Sequence, residues 1–327
     1  MHLVLSHWSA NLAVLAAWLV VAAAHLFGVR GLAAGYRRRG PGGGRAAAGG
    51  GRAAAEPSPG AGTEEPSPGA GSEGVPGYLA REALIFQAGM LTAALALISP
   101  LGYWSHRIIW VRSLQDLLLV NIAPALIVIG APWLALRHTV RLGGAAGSVE
   151  SSPRADTPPW PVTSVVAFAA FSVAWCVWHL PGPYDAALAH PLVYAAEVVT
   201  YLGLGIVFWL QLVGSRPYVP RLSPLRRVMA LAATIVVGTI LGMVLVFGSR
   251  VAYYSYVTGP HQTVGVLSDQ QLAGAVLWTL MLPSYVIAGI ALLVRWLNEE
   301  DTNAMGAGLD RLLKPAKPAW PTRPGLR

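Results

Sequence analysis

Apolar positions along this chain do not alternate or recur at one face of a helix; they run on unbroken. Seven stretches are long enough to cross a bilayer, near Trp8–Val29, Glu82–Leu101, Ser113–Leu136, Pro161–Trp178, Pro191–Val213, Val228–Phe247 and Gln271–Trp296. A membrane helix needs about 20 predominantly apolar residues. The pattern therefore predicts an all-α polytopic membrane protein, a bundle of seven transmembrane helices. Between the first two runs lies a polar stretch rich in Gly, Ala, Pro, Ser and Glu, with "EPSPGAG" at Glu56–Gly62 and again at Glu65–Gly71. It has little apolar surface to bury and is expected to be disordered. The resulting division is a first transmembrane helix (1–36), a disordered cytoplasmic linker (37–77), a six-helix membrane core (78–297) and a disordered cytoplasmic tail (298–327). Pro124 and Pro132, inside "NIAPALIVIGAPW", are expected to kink the third run.

Composition agrees with this pattern. Only 12% of the residues are charged, where soluble domains carry about a quarter, and the mean hydropathy is +0.52. In a soluble chain the net charge of +8 would point toward nucleic acid. Here the basic residues sit in loops between apolar runs without an aromatic-interleaved patch, so nucleic-acid binding is excluded as a reading. Their distribution sets orientation instead. Of the 23 Lys and Arg residues, all but Arg107, Arg112 and Arg250 fall on the side of the loops after the first, third and fifth runs and of the C-terminal tail. The N-terminus is thus expected outside and the C-terminus in the cytoplasm. His2, His7, His106, His179, His190 and His261 then belong to the outer side, and His25 and His138 to the inner.

The chemistry-bearing residues gather toward that outer side. His190, Tyr194, Glu197 and Tyr201 are spaced by four, three and four, which stacks them on one face of the fifth run. Glu197 is expected about 10 Å below His190, at roughly 1.5 Å rise per residue. A carboxylate at that depth is either a functional group or a lock between helices, paired or protonated. Cys176 and His179 lie one turn apart. A thiolate with an imidazole suits Cu(I) or Zn(II), but a small Cys in a helix is commonly packing, and His179 could equally cap the turn imposed by Pro181 and Pro183. Arg112 and Asp116 have the spacing of an intrahelical ion pair. Tyr253, Tyr254 and Tyr256 are expected in an interfacial belt, with Asp269 and Gln270 capping the seventh helix. The single cysteine excludes an intramolecular disulfide, and no G-x-S-x-G or H-E-x-x-H motif points to hydrolysis.

"SLQDLLLVNIAPALIVIGAPW", "WHLPGPYDAALAHPLVYAAEVVTYLGLGIVFWLQLVGSRP" and "LSDQQLAGAVLWTLMLPSYVIAGIALLVRWL" together resemble the CtaG-type cytochrome c oxidase assembly proteins. The resemblance implies a non-enzymatic assembly factor in a bacterial cell membrane that handles or delivers copper to a haem–copper oxidase subunit from the outer side. Its partners would be that subunit and the lipid bilayer. This chain departs from the family's "H-M-x-Q-H" and "H-x-x-E-H" at Arg112, Asp116, Tyr194 and Val198, while Gln115 and Glu197 match. On this reading a polar pocket opens among the third, fourth, fifth and seventh helices, with His179 at its mouth, His190 beside it and Glu197 below. Copper, if taken, would meet His179, His190 and Cys176, and Glu197, Tyr194, Gln115 and Asp269 would line the pocket. The alternatives are a metal-free scaffold of the same fold or, with Glu197 as a relay, a transporter or proton channel. The transporter reading lacks a visible inverted repeat.

Overall fold

The structure is a computed structural model that describes residues 8, 11–38, 77–143, 164–220, 222–257 and 265–313. All its regular elements are helices: α1 (Leu12–Arg38), α2 (Gly77–Ile98), α3 (Pro100–Ser105), α4 (Ile109–Leu117), a π-helical turn (Leu118–Ile122), α5 (Ala123–Ile129), α6 (Trp133–Gly143), α7 (Ser164–Trp178), α8 (Pro181–Ala189), α9 (Pro191–Leu212), α10 (Pro224–Phe247), α11 (Tyr254–Val257) and α12 (Val266–Leu313). Among the described residues six helical spans are long and apolar enough to cross a bilayer. The bent pair α7–α8 makes a seventh if it is one span. The all-α polytopic class follows.

Several boundaries differ from the apolar pattern, each for a local reason. The third run crosses as α4, the π turn and α5 and ends at Ile129 rather than Leu136. Pro124 has no N–H, and its ring would press on the carbonyl four residues back. The wider turn before it, in which the Ala123 amide donates to the Leu118 carbonyl, accommodates that ring. Gly130, Ala131 and Pro132 then stop the helix, with Ala131 at φ 42° in the left-handed region. After α7 the chain turns by 71° into α8. Leu180 precedes a proline and is extended (φ −70°, ψ 145°), as the proline ring requires of its neighbour. The segment expected as a turn is thus a nine-residue helix. At the C-terminus the helix does not end at Trp296 but continues to Leu313, so the tail expected to be disordered from 298 is helical over half its length. Extending an existing helix needs no new nucleus, and Glu299, Glu300, Ala304, Met305 and Leu309 are good helix formers. The linker from 39 to 76 and the tail beyond 313 lie outside the described residues.

α10 packs along α12 more extensively than any other pair of helices. Close backbone approach makes this possible: a Cβ at Gly274 would lie 2.6 Å from the Gly242 carbonyl oxygen. Such small-residue contacts are how membrane helices gain dispersion contacts when no hydrophobic effect drives them together. α9 is seated in the same way on the π turn. A Cβ at Gly205 would fall 2.7 Å from both the Val120 carbonyl oxygen and the Pro124 ring. α12 also packs along α4, and α4 bonds to α9 through Arg112 and Glu197.

Candidate functional site

On α4, Arg112, Gln115 and Asp116 share the face turned into the bundle and are all buried. α9 presents Tyr194, Glu197 and Tyr201 at helical spacing, with Glu197 and Tyr201 each 1% exposed. The two faces interlock. The Arg112 guanidinium donates through Nη2 to Glu197 Oε2, and Gln115 Nε2 donates to the Tyr194 hydroxyl (2.8 Å) and to the Ala96 carbonyl (2.7 Å). The guanidinium carbon also lies 4.8 Å from the Tyr184 ring centre and 5.5 Å from that of Tyr194. A cation held by aromatic faces and a carboxylate is the arrangement a desolvated Arg requires.

The intrahelical Arg112–Asp116 pair expected from spacing gives way to this interhelical one. Asp116 still lies within the electrostatic reach of Arg112, but its Oδ2 has no hydrogen-bond partner. The cause is burial. Glu197 has no other cation within the described residues to bond, and the long guanidinium stem reaches across to α9 where a shorter side chain could not. One cation therefore serves two buried carboxylates.

His179 sits at the α7–α8 bend and is only 5% exposed, so it does not stand at an open mouth. Its Nδ1 donates to the Trp175 carbonyl at 2.9 Å, and the Tyr201 hydroxyl is 3.4 Å from the same nitrogen. Nε2 has no partner. Through Tyr201, one turn from Glu197, His179 joins the edge of the Arg112 cluster. His190 is exposed at the start of α9 and Cys176 is half-buried on α7. Among the described residues no three His, Cys, Asp or Glu side chains come together in a way that could hold a metal ion.

Two groups of residues take roles that spacing did not suggest. Asp269 was expected to cap its own helix. Because α12 begins at Val266, Asp269 falls inside its first turn and caps α4 instead, accepting from the Ile109 amide (2.8 Å) and the Trp110 amide (3.1 Å). The N-cap residue of α4, Ile108, supplies no side-chain cap of its own. Gln270 accepts from the Ala252 amide (2.7 Å) and donates to the Arg250 carbonyl (3.2 Å). Asp185, in α8, caps α11 through the Tyr254 and Ser255 amides at 3.2 and 3.1 Å. Tyr253 and Tyr256 are core residues, 1% and 2% exposed, and do not form an interfacial belt; Tyr254 is 72% exposed. The Tyr253 hydroxyl donates to the His179 carbonyl at 3.1 Å and that of Tyr256 to the Ser105 carbonyl. Burial pushes both phenols further above physiological pH, where an ordinary phenol is already protonated and able to donate. A hydroxyl that finds a carbonyl can leave the interface for the core, a choice the sequence pattern does not reveal.

The fold and this cluster define a polytopic helical membrane protein with a charged, aromatic-lined centre buried near one end of the bundle. The chain belongs to the family of cytochrome c oxidase caa3 assembly factors (Caa3_CtaG), whose match spans residues 73–299. That range takes in α2 to the membrane-spanning part of α12 and leaves α1 outside. Comparison with curated proteins and with solved structures found no match. Membership makes the chain a multi-pass bacterial membrane protein of cytochrome c oxidase assembly, with an oxidase as its partner.

Proposed function

We propose that this protein assists oxidase assembly from the outer face of the cell membrane by docking an oxidase subunit, without a resident copper ion. The orientation rests on the one-sided distribution of Lys and Arg. The observation that carries the metal-free reading is Arg112. Its guanidinium bonds one of the two clustered carboxylates and lies in the field of the other. A metal cation there would meet a fixed positive charge, and the donor set around it does not fit a resident copper centre, which favours soft or imidazole ligands. The cluster instead ties α4 to α9 and holds the α7–α8 bend, through Tyr201 and His179, in a defined shape for a partner helix or loop.

Copper handling is the competing reading. It rests on His179, whose Nε2 is unpartnered, with Cys176 one turn earlier and His190 exposed nearby in sequence. The deciding experiment loads the purified protein with Cu(I) under reducing conditions and measures capture of the oxidase subunit in parallel. Capture without stoichiometric copper supports docking. About one copper per chain that disappears in His179→Ala, together with loss of oxidase activity at normal protein level, would replace it with delivery.

A further inference from the structure

A second site lies at the other end of the bundle, where the start of α7, the end of α9 and the start of α10 meet. They enclose a cavity of about 350 Å³, at the small end of the usual range of ligand pockets, roughly 300–1,000 Å³. Its walls include Val165 and Phe168 from α7, Phe208 from α9, and Met229 and Ala233 from α10. Two polar side chains on the wall, Ser164 and Gln211, satisfy each other through a 2.7 Å hydrogen bond. Val165 and Met229 at its rim are 76% and 62% exposed, apolar side chains that no described residue covers.

Arg226 stands at the edge of this cavity. It is exposed and makes no hydrogen bond or ion pair to any other described residue. Its neighbour Arg227 differs: it bonds the Leu222 carbonyl (2.8 Å) and reaches the Pro220 carbonyl (3.4 Å), fixing the loop before α10. One arginine therefore holds the structure and the other faces outward beside an apolar chamber. α10 is committed to α12 and meets α7 only sparsely, so no described residue closes the gap.

We infer that this cavity is a binding site for an anionic phospholipid, with a stretch of one acyl chain between α7 and α10 and the headgroup phosphate on Arg226. A bilayer-facing apolar cavity is filled by a hydrocarbon chain without exposing any polar group. The guanidinium supplies the charge that selects an anionic head over a zwitterionic one. The bound chain completes the contact between the α10–α12 pair and the rest of the bundle. This site is separate from the Arg112 cluster and does not depend on the role proposed for it.

The test uses the full chain purified in a neutral detergent, supplied with phosphatidylglycerol or phosphatidylcholine, with retained lipid counted by native mass spectrometry. Phosphatidylglycerol should be retained in preference to phosphatidylcholine. Arg226→Gln should reduce that preference about fivefold, the usual effect of one basic side chain on an anionic lipid. Arg250→Gln, which removes an equal charge at the opposite end, should leave it unchanged. Ala233→Phe should displace the acyl chain and lower retention of both lipids. If that variant does not fold, Ala230→Leu serves the same purpose, and Arg226, being exposed and unbonded, can be replaced without disturbing packing. Equal retention of the two lipids by the wild type, or an unchanged preference in Arg226→Gln, overturns the inference. So does loss of the retained phosphatidylglycerol on adding inorganic phosphate alone, which would assign the site to a free anion.

Discussion

Removing Arg112 should damage the fold more than removing the carboxylate it bonds. The guanidinium is 0% exposed and shared by Glu197, 1% exposed, and Asp116, 2% exposed. Arg112→Met leaves two buried carboxylates with no cation. Breaking a buried pair from one side costs about 3–5 kcal/mol, and like-charge repulsion puts this variant at the upper end. Glu197→Gln leaves Arg112 opposite Asp116, a balanced pair, and the new amide oxygen can still accept from the guanidinium. The loss is then one charge-assisted hydrogen bond, about 1.5–3 kcal/mol. The double variant Arg112→Met/Glu197→Gln removes one charge of each sign and should recover at least ~1 kcal/mol relative to Arg112→Met alone. Reversible unfolding in mixed detergent micelles, followed by circular dichroism, gives the three values. The shared-cation reasoning fails if Glu197→Gln is as destabilising as Arg112→Met, or if the double variant is no more stable than Arg112→Met.

Gly205→Val should destabilise by about 1–3 kcal/mol through overpacking, because its Cβ would meet the Val120 carbonyl and the Pro124 ring at 2.7 Å. Gly203→Ala, with nothing within 4 Å of its new Cβ, should be neutral or better in the same unfolding assay. Asp269→Ala should cost about 0.5–2 kcal/mol, the usual loss on removing a helix cap, and should speed amide exchange at Ile109 and Trp110; unchanged exchange there would show that the cap is idle. Tyr254→Cys, at a position 72% exposed, should react with an impermeant maleimide on intact cells, and reaction only after the cells are opened would reverse the assigned orientation.

The sequence by itself determined the class of this protein. Apolar runs of membrane length and a charged content of 12% leave few alternatives to a helical bundle, because backbone polar groups in a bilayer must be satisfied by the protein itself and a continuous apolar run of about 20 residues does this as a helix. It also marked Glu197, Gln115, Arg112 and His179 as groups of interest, since polar side chains in such runs are rare and costly. Their partners were not legible. Spacing along one helix suggested Arg112 with Asp116, and a cap position suggested Asp269 with its own helix. The structure bonded Arg112 to Glu197 across the bundle and set Asp269 on the amides of α4. It likewise drew Tyr253 and Tyr256 inward and left His190 exposed. The physical reason is common to all of these. Which helices meet is set by close approaches at residues such as Gly205, Gly242 and Gly274, and by the turns forced at Pro124 and Pro181. A buried charge then takes whichever counter-group those approaches bring within reach, and that is decided only when the helices have packed.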